Sequence, residues 1–331
     1  EKSVTREGTL APIMLCFHRC ANANTYHHWS LPFTATRCTN RTSPRTRTSS
    51  HKEGRRGRDM AAAVDAQSNR ATLPSKPKQV LLTNDDGPES PFFYPFAEGL
   101  RNTLDWNTYV CIPDSNWSYV SKSLKPPKTK FQVQRKAQDE ARVPISPASC
   151  VNLGLYQLCR DCDLVISGPN IGHNLGRAAI LSSGTVGAAL EGCIHGKKAI
   201  AISFPFKGYN SWTNEDIDAA VKVALDVTQK LWNDWNEGQH PPGSVFYNVN
   251  VPLWSCKEGE VERLETEIDQ TVGYTSLYKI EKDSNEVSWS PTGERVFDMP
   301  NAIEGGDVAA VRDGHVSITK LAPTFQSMKN A

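Results

Sequence analysis

The chain has 331 residues, with 37 Lys and Arg against 36 Asp and Glu, a formal net charge of +1, and 38% hydrophobic residues. That length suits one large domain or two ordinary ones, and the apolar fraction suffices for a buried core. The balanced charge argues for neither a nucleic-acid polymer nor a membrane surface, so neither is expected as partner, and no apolar run reaches spanning length.

Residues 1–75 differ from the rest. The stretch ATRCTNRTSPRTRTSSHKEGRRGRD is rich in Arg, Ser and Thr, poor in acids, and has neither helical nor strand period. Such a segment buries too little apolar surface to offset the entropy of ordering it, so 1–75 reads as a disordered basic extension. A transit peptide or a nucleic-acid arm is the functional alternative, but the cations are scattered, and Met60 opens MAAAVDA as a fresh start. The run LAPIMLCF near residue 14 is too short and too poorly flanked for a signal peptide. Nine cysteines, several in apolar contexts such as Cys111 and Cys193, read as free thiols of a reducing compartment, hence a cytoplasmic protein. Cys159 and Cys162 have C-x-x-C spacing, yet no second pair follows at zinc-finger distance, so they read as core thiols.

From residue 79 strand and helix signals alternate. QVLLT predicts a buried strand, and the spacing of Phe96, Leu100 and Leu104 predicts a helix after it. TYVCIP is a second strand, FQVQ a short extended piece, and CVNLGLYQLC an amphipathic helix. DLVIS leads through a glycine-rich loop into the helix TVGAALEGCIH, and AIAIS follows as another strand. A long amphipathic helix over 214–236 and the strand VFYNVNVP close the series. Near-continuous apolar strands separated by helices imply an α/β fold with a mostly parallel sheet covered on both faces, placed at 76–253. Residues 254–331 change character: VERLETEI, LYKI and EVSWSP read as β-rich hairpin arms, and HVSIT as a half-buried strand. An exposed β arm needs cover, which predicts a homo-oligomer.

In parallel sheets ligands bind beyond the carboxyl ends of the strands. Three polar loops, NDDG, PDSNWS and SGPNIGHN, each follow directly on such an end. Alone, Asn84-Asp85-Asp86-Gly87 is most simply a solvated turn. Its neighbours offer another reading, because Ser118, Asn170 and Asn174 bring neutral oxygens to the same edge. Two carboxylates with neutral oxygens suit a hard divalent cation, Mg²⁺ or Mn²⁺. Ser183-Gly184-Thr185 opens a helix, whose unpaired N–H groups make a ready phosphate site. Together these imply metal-assisted hydrolysis of a phosphoester. Neither G-x-x-x-x-G-K-[ST] nor a G-x-G-x-x-G first turn is present, so a nucleoside triphosphatase or dinucleotide enzyme lacks its signature.

The segments VLLTNDDG, IPDSNWS, DLVISGPNIGHNLG, LSSGTVGAALEG, YNVNVP and DVAAVRDGHVSITKL, in that order, resemble the survival protein SurE family over about 79–322. The resemblance implies a Rossmann-like core with C-terminal β arms that mediate homodimers or homotetramers. It implies a metal-dependent hydrolase of nucleoside monophosphates, a 5′/3′-nucleotidase or acid phosphatase, with polyphosphate as a second substrate. Carried over by position, the metal ligands are Asp85, Asp86, Ser118 and Asn170. The catalytic residues are Asp85, Asp86 and Asn170, and Asn84, Gly87, Gly168, Asn174, Ser183, Gly184 and Thr185 line the phosphate pocket. The chain departs from the family at Tyr119, where many members have a small residue, at His173, where proline is frequent, and at Ser149, where aspartate is usual. His173 reads either as a phosphate contact or as a loop histidine, Arg177 as a phosphate contact or a solvated charge, and His195 as a helix C-terminal residue facing the dipole. A catalytically weak nucleotide-binding regulator of the same fold is the rival reading.

Overall fold

The structure, a computed structural model, describes residues 76–324 except 209–211, 239, 258–260, 271–272, 275, 283, 285 and 290–301. The predicted basic extension and the last residues, 325–331, therefore lie outside the described residues.

The core is built on four strands whose apolar runs were predicted: β1 (Val80–Thr83), β2 (Thr108–Pro113), β5 (Leu164–Ile171) and β6 (Lys198–Phe204). They pair in parallel, with β1 between β2 and β5 and with β6 beyond β5. Side chains alternate between the two faces. Val80 and Leu82 of β1 face one helical layer and Leu81 the other, and all three are fully buried. The first layer holds α1 (Phe93–Asn102) and α5 (Asn214–Asn236). A Cβ on Gly99 of α1 would meet Leu225 of α5 at 2.5 Å, so that glycine sets their close approach. A capping box between Thr213 and Asp216 starts α5. The second layer holds α2 (Pro147–Leu153), the π-helical turn Gly154–Leu158 that continues it, and α4 (Gly184–Ile194). Burying each large apolar side chain contributes about 1.5–3 kcal/mol, which is why the runs without polar interruption occupy the centre.

The edges were less predictable. The extended piece FQVQ contributes only Gln134 to a strand, β3 (Gln134–Ala137), which turns back on β4 (Glu140–Val143) beside β2. On the other flank, β7 (Phe246–Asn250) runs parallel to β6, and β11 (Val316–Leu321) adds antiparallel to β7. β8 (Arg263–Thr266) then pairs in parallel with β11, giving a nine-stranded sheet. The segments VERLETEI and HVSIT thus extend the main sheet. LYKI and EVSWSP pair as a separate antiparallel hairpin, β9 (Tyr278–Ile280) with β10 (Val287–Trp289). Two short helices, α3 (Gly176–Ser182) and α6 (Asp307–Arg312), have no counterpart in the sequence reading. They depend on each other through the buried Asp307, whose carboxylate accepts from the Gly176 N–H at 2.8 Å and from the Asp269 N–H at 2.9 Å. Helices this short take their stability from such tertiary ties.

Among the described residues no helix is long and apolar enough to cross a membrane. Cys111, Cys150, Cys159, Cys162, Cys193 and Cys256 are all free and buried.

Candidate active site

The turn after β1 is shaped by Asn84. Its side-chain amide donates to the Gly87 carbonyl at 2.8 Å and its side-chain oxygen accepts from the Gly87 N–H at 3.2 Å. Gly87 itself has φ +80°, and a Cβ there would meet the Ser115 backbone at 2.9 Å. These two residues of the predicted phosphate pocket therefore hold the loop that presents Asp85 and Asp86.

Both aspartates are buried. Asp85 accepts from the Thr185 hydroxyl at 2.6 Å, and the N–H groups of Gly184 and Thr185 also face its carboxylate. Gly184 packs so closely that a Cβ would come within 2.8 Å of Asp85 Oδ2. Ser183 caps α4 by accepting from the Val186 N–H at 3.0 Å. The predicted helix start is thus present, and its first-turn donors serve Asp85 and Ser183. The helix dipole favours a carboxylate in that position. Asp86 accepts from the Ile171 N–H at 2.7 Å and from the Asn116 side-chain amide at 3.3 Å.

Those hydrogen bonds do not neutralise the pair. Burial pushes the Asp85 carboxyl up, against the Thr185 hydroxyl and the α4 N–H groups that favour its charged form. Burial also pushes Asp86 up, and repulsion from Asp85 adds to it. Among the described residues no Lys, Arg or His pairs with either carboxylate. Nor, among the described residues, do three His, Cys, Asp or Glu side chains converge on one point. A cation here would be held by two carboxylates and neutral oxygens, a donor set that fits Mg²⁺ or Mn²⁺.

The remaining predicted residues divide. Gly168, at φ +118°, approaches β6 so closely that a Cβ would stand 2.2 Å from the Ile202 carbonyl oxygen. Asn170 is buried at the end of β5, next to the Ile171 N–H that meets Asp86, and pairs in register with Ser203. Ser118 lies exposed on the loop after β2. That loop is tied to the acid pair through the Trp117 N–H, which donates to the Asp85 carbonyl at 2.7 Å. Asn174 is turned inward. Its N–H donates to Asn250 Oδ1 at 2.9 Å, its amide donates to Ser203 Oγ at 2.7 Å, and its carbonyl accepts from Asn248 at 2.7 Å. It fixes the glycine-rich loop from below.

Sequence reasoning gave no role to Asn248, Asn250 or Ser203, and did not anticipate Asn116 as an Asp86 partner. The signal for the first two was available: VFYNVNVP places Asn at i and i+2 of an otherwise apolar strand, hence on one face. Buried amides there require partners. His173 is half-buried, and burial lowers its imidazole pKa to about 4, so it is neutral near pH 7. Arg177 is exposed, with its backbone N–H on the Asp269 carbonyl at 3.0 Å. Ser149 bonds Ser146 Oγ at 2.8 Å, and His195 closes α4 with its ring 2.8 Å from Glu191.

A doubly wound α/β sheet with a buried acid pair at its strand ends, backed by a helix N-terminus, defines a class of small-ligand proteins that work at that edge. Comparison narrows the class. The family model for Survival protein SurE matches residues 80–275. A 5′-nucleotidase SurE of Geobacter sulfurreducens is 33% identical over 246 residues, covering 73% of this chain and 87% of its own length. A Saccharomyces cerevisiae protein described as probable tubulin–tyrosine ligase PBY1 is 31% identical over 301 residues; the match covers 76% of this chain and only 37% of the yeast protein. The crystal structure of the SurE protein from Aquifex aeolicus aligns with a TM-score of 0.59 at 29% identity, over 75% of this chain and 94% of that one. This chain belongs to the SurE family.

Proposed function

We propose that the chain is a divalent-metal-dependent phosphomonoesterase that hydrolyses nucleoside monophosphates, with Asp85, Asp86, Ser118 and Asn170 holding Mg²⁺ or Mn²⁺. The observation that carries this reading is the buried Asp85–Asp86 pair, both raised by burial, with repulsion from Asp85 adding at Asp86 and, among the described residues, no Lys, Arg or His paired with either. Two such charges in a dry site are costly unless a cation joins them. The nucleotidase names of the relatives supply the substrate class.

When bound, such a cation supplies Lewis-acid stabilisation and lowers the pKa of a bound water. The chain's own contribution is placement. Thr185 and the α4 N-terminus hold Asp85, while Ile171 N–H and Asn116 hold Asp86. Because the first-turn donors of α4 are engaged, we assign the substrate phosphate to the segment around Gly168 and Asn170 and to the cation, with α4 acting through Asp85. Hydrolysis of polyphosphate and assembly as a homodimer or homotetramer belong to the same proposal.

Phosphate release from AMP, measured with Mg²⁺ or Mn²⁺ and again after EDTA, tests it. Release that depends on metal and stops with chelation is expected. A folded protein that binds AMP and releases no phosphate with either metal would establish a nucleotide-binding regulator instead.

A further inference from the structure

The hairpin β9–β10 carries an unusual amount of apolar surface in water. Val287 stands opposite Ile280 and Trp289 opposite Tyr278, so all four side chains share one face. Their exposures run from 47% for Trp289 to 63% for Ile280. The aromatic end of this face meets the loop after β2. Trp289 packs edge-on against Tyr119 with centroids 5.2 Å apart, and against Tyr278 at 5.1 Å. Tyr274 joins from the same arm at 6.1 Å from Tyr119. All four rings remain 43–60% exposed, so the cluster leaves ring surface open to a further layer.

Its position relative to the acid pair gives the cluster a purpose. Tyr119 follows Ser118 directly, on the loop whose Asn116 reaches Asp86 and whose Trp117 N–H holds the Asp85 backbone. Tyr119 is held at φ 61°, a conformation that a bulky residue rarely adopts. Tyr274 hydroxyl bonds Ser182 Oγ at 2.6 Å, one residue before the Ser183 cap of α4. The aromatic cluster is thus anchored to both sides of the acid centre, within a residue of each wall.

We propose that Tyr119, Trp289, Tyr278 and Tyr274 form a stacking platform for the nucleobase of the substrate. The inference rests on the nucleotidase reading for its substrate and adds the residues that select a base-bearing phosphoester over a bare sugar phosphate. A purine or pyrimidine presents a flat π-face of the kind aromatic side chains hold with little regard to sequence, by stacking. The acid centre then acts on the phosphate at the other end of the same molecule.

The test compares AMP with ribose 5-phosphate, which has the same phosphoester and no base, in Trp289→Leu and Trp289→Phe proteins. Leu keeps apolar bulk without a π-face, and Phe keeps a ring. Trp289→Leu is expected to lower the ratio of kcat/KM for AMP to that for ribose 5-phosphate by about tenfold or more, with Phe restoring most of it. Adenosine, which carries no phosphate, is expected to give saturation-transfer NMR signals with wild type and not with Trp289→Leu. An unchanged ratio in a folded Trp289→Leu protein overturns the proposal. So does an unchanged ratio accompanied by dissociation to monomers in light scattering, which would make the hairpin a contact between copies. If wild type hydrolyses neither compound, the nucleotidase reading fails. Adenosine binding then still decides for or against the platform.

Discussion

Two buried acidic centres lie on opposite ends of α4, and they are opposite in kind. At its start, burial drives the carboxyls of Asp85 and Asp86 above their usual range, and among the described residues no Lys, Arg or His pairs with either. Toward its end, Glu191 is equally buried, but Lys122 pairs with it at 2.5 Å, His195 at 2.8 Å and Asn152 at 3.0 Å. Burial alone would push Glu191 up, yet Lys122, Asn152 and His195 together hold it below its usual range. One end of the helix therefore holds an acid completed from within the chain, and the other adjoins an acid pair with no cationic partner among the described residues. A structural acid is neutralised where it stands, whereas a functional one is left for a ligand to neutralise.

Perturbing each end separately sharpens the contrast. On the proposed metal-dependent mechanism Asp86→Asn removes a cation ligand, so AMP hydrolysis is expected to fall on the order of a thousandfold, equivalent to about 4 kcal/mol. The same change relieves repulsion in the metal-free protein, so its melting temperature is expected to rise; a fall in both would mean that Asp86 is structural. Glu191→Ala should do the reverse. It leaves Lys122 and Asn152 without their acceptor, costing about 2–3 kcal/mol by urea unfolding, at the lower end because Lys122 reaches water. Metal-dependent turnover of the remaining folded protein is expected to match wild type.

The two centres also respond to pH with opposite sign. The aspartate pair has folded pKa values above the unfolded value, so the folded state binds more protons. Its contribution to stability is complete below the usual carboxylate range and is lost as pH rises through the raised values. Glu191 is lowered, so its contribution is present above the usual range and is lost as pH falls through its folded value. Metal-free protein is therefore expected to weaken as pH rises from about 4 toward 8, by up to about 1.4 kcal/mol per unit for each proton released, and Mg²⁺ or Mn²⁺ should cancel that slope. In Glu191→Gln the acid-side loss should shrink while the alkaline slope persists. The smallest effect falls on the support of Asp85: Thr185→Val removes one hydrogen bond, worth about 1 kcal/mol, and should lower turnover by about fivefold without changing the pH response of Glu191.

The strands at the centre of the sheet were legible because burial on both faces demands uninterrupted apolar runs, as in VLLT and AIAIS. The long helix α5 was legible from its amphipathic period. The edge strand β3 was not, since it is exposed along its length and so carries no burial signal. α3 and α6 exist through the Asp307 contacts with Gly176 and Asp269, across long sequence separation. At the site, the acid pair and the α4 start were visible in NDDG and SSGTVG. The assignment of the α4 donors was not, because which anion a helix start receives is decided by what the fold places there, and here it places Asp85.

Calorimetric titration of Mn²⁺ into metal-stripped wild type, Asp86→Asn and Glu191→Gln at pH 8 addresses the open charge pair most directly. The account predicts saturable binding to wild type and to Glu191→Gln, and its loss in Asp86→Asn. Equal affinity of wild type and Asp86→Asn for the metal would contradict it.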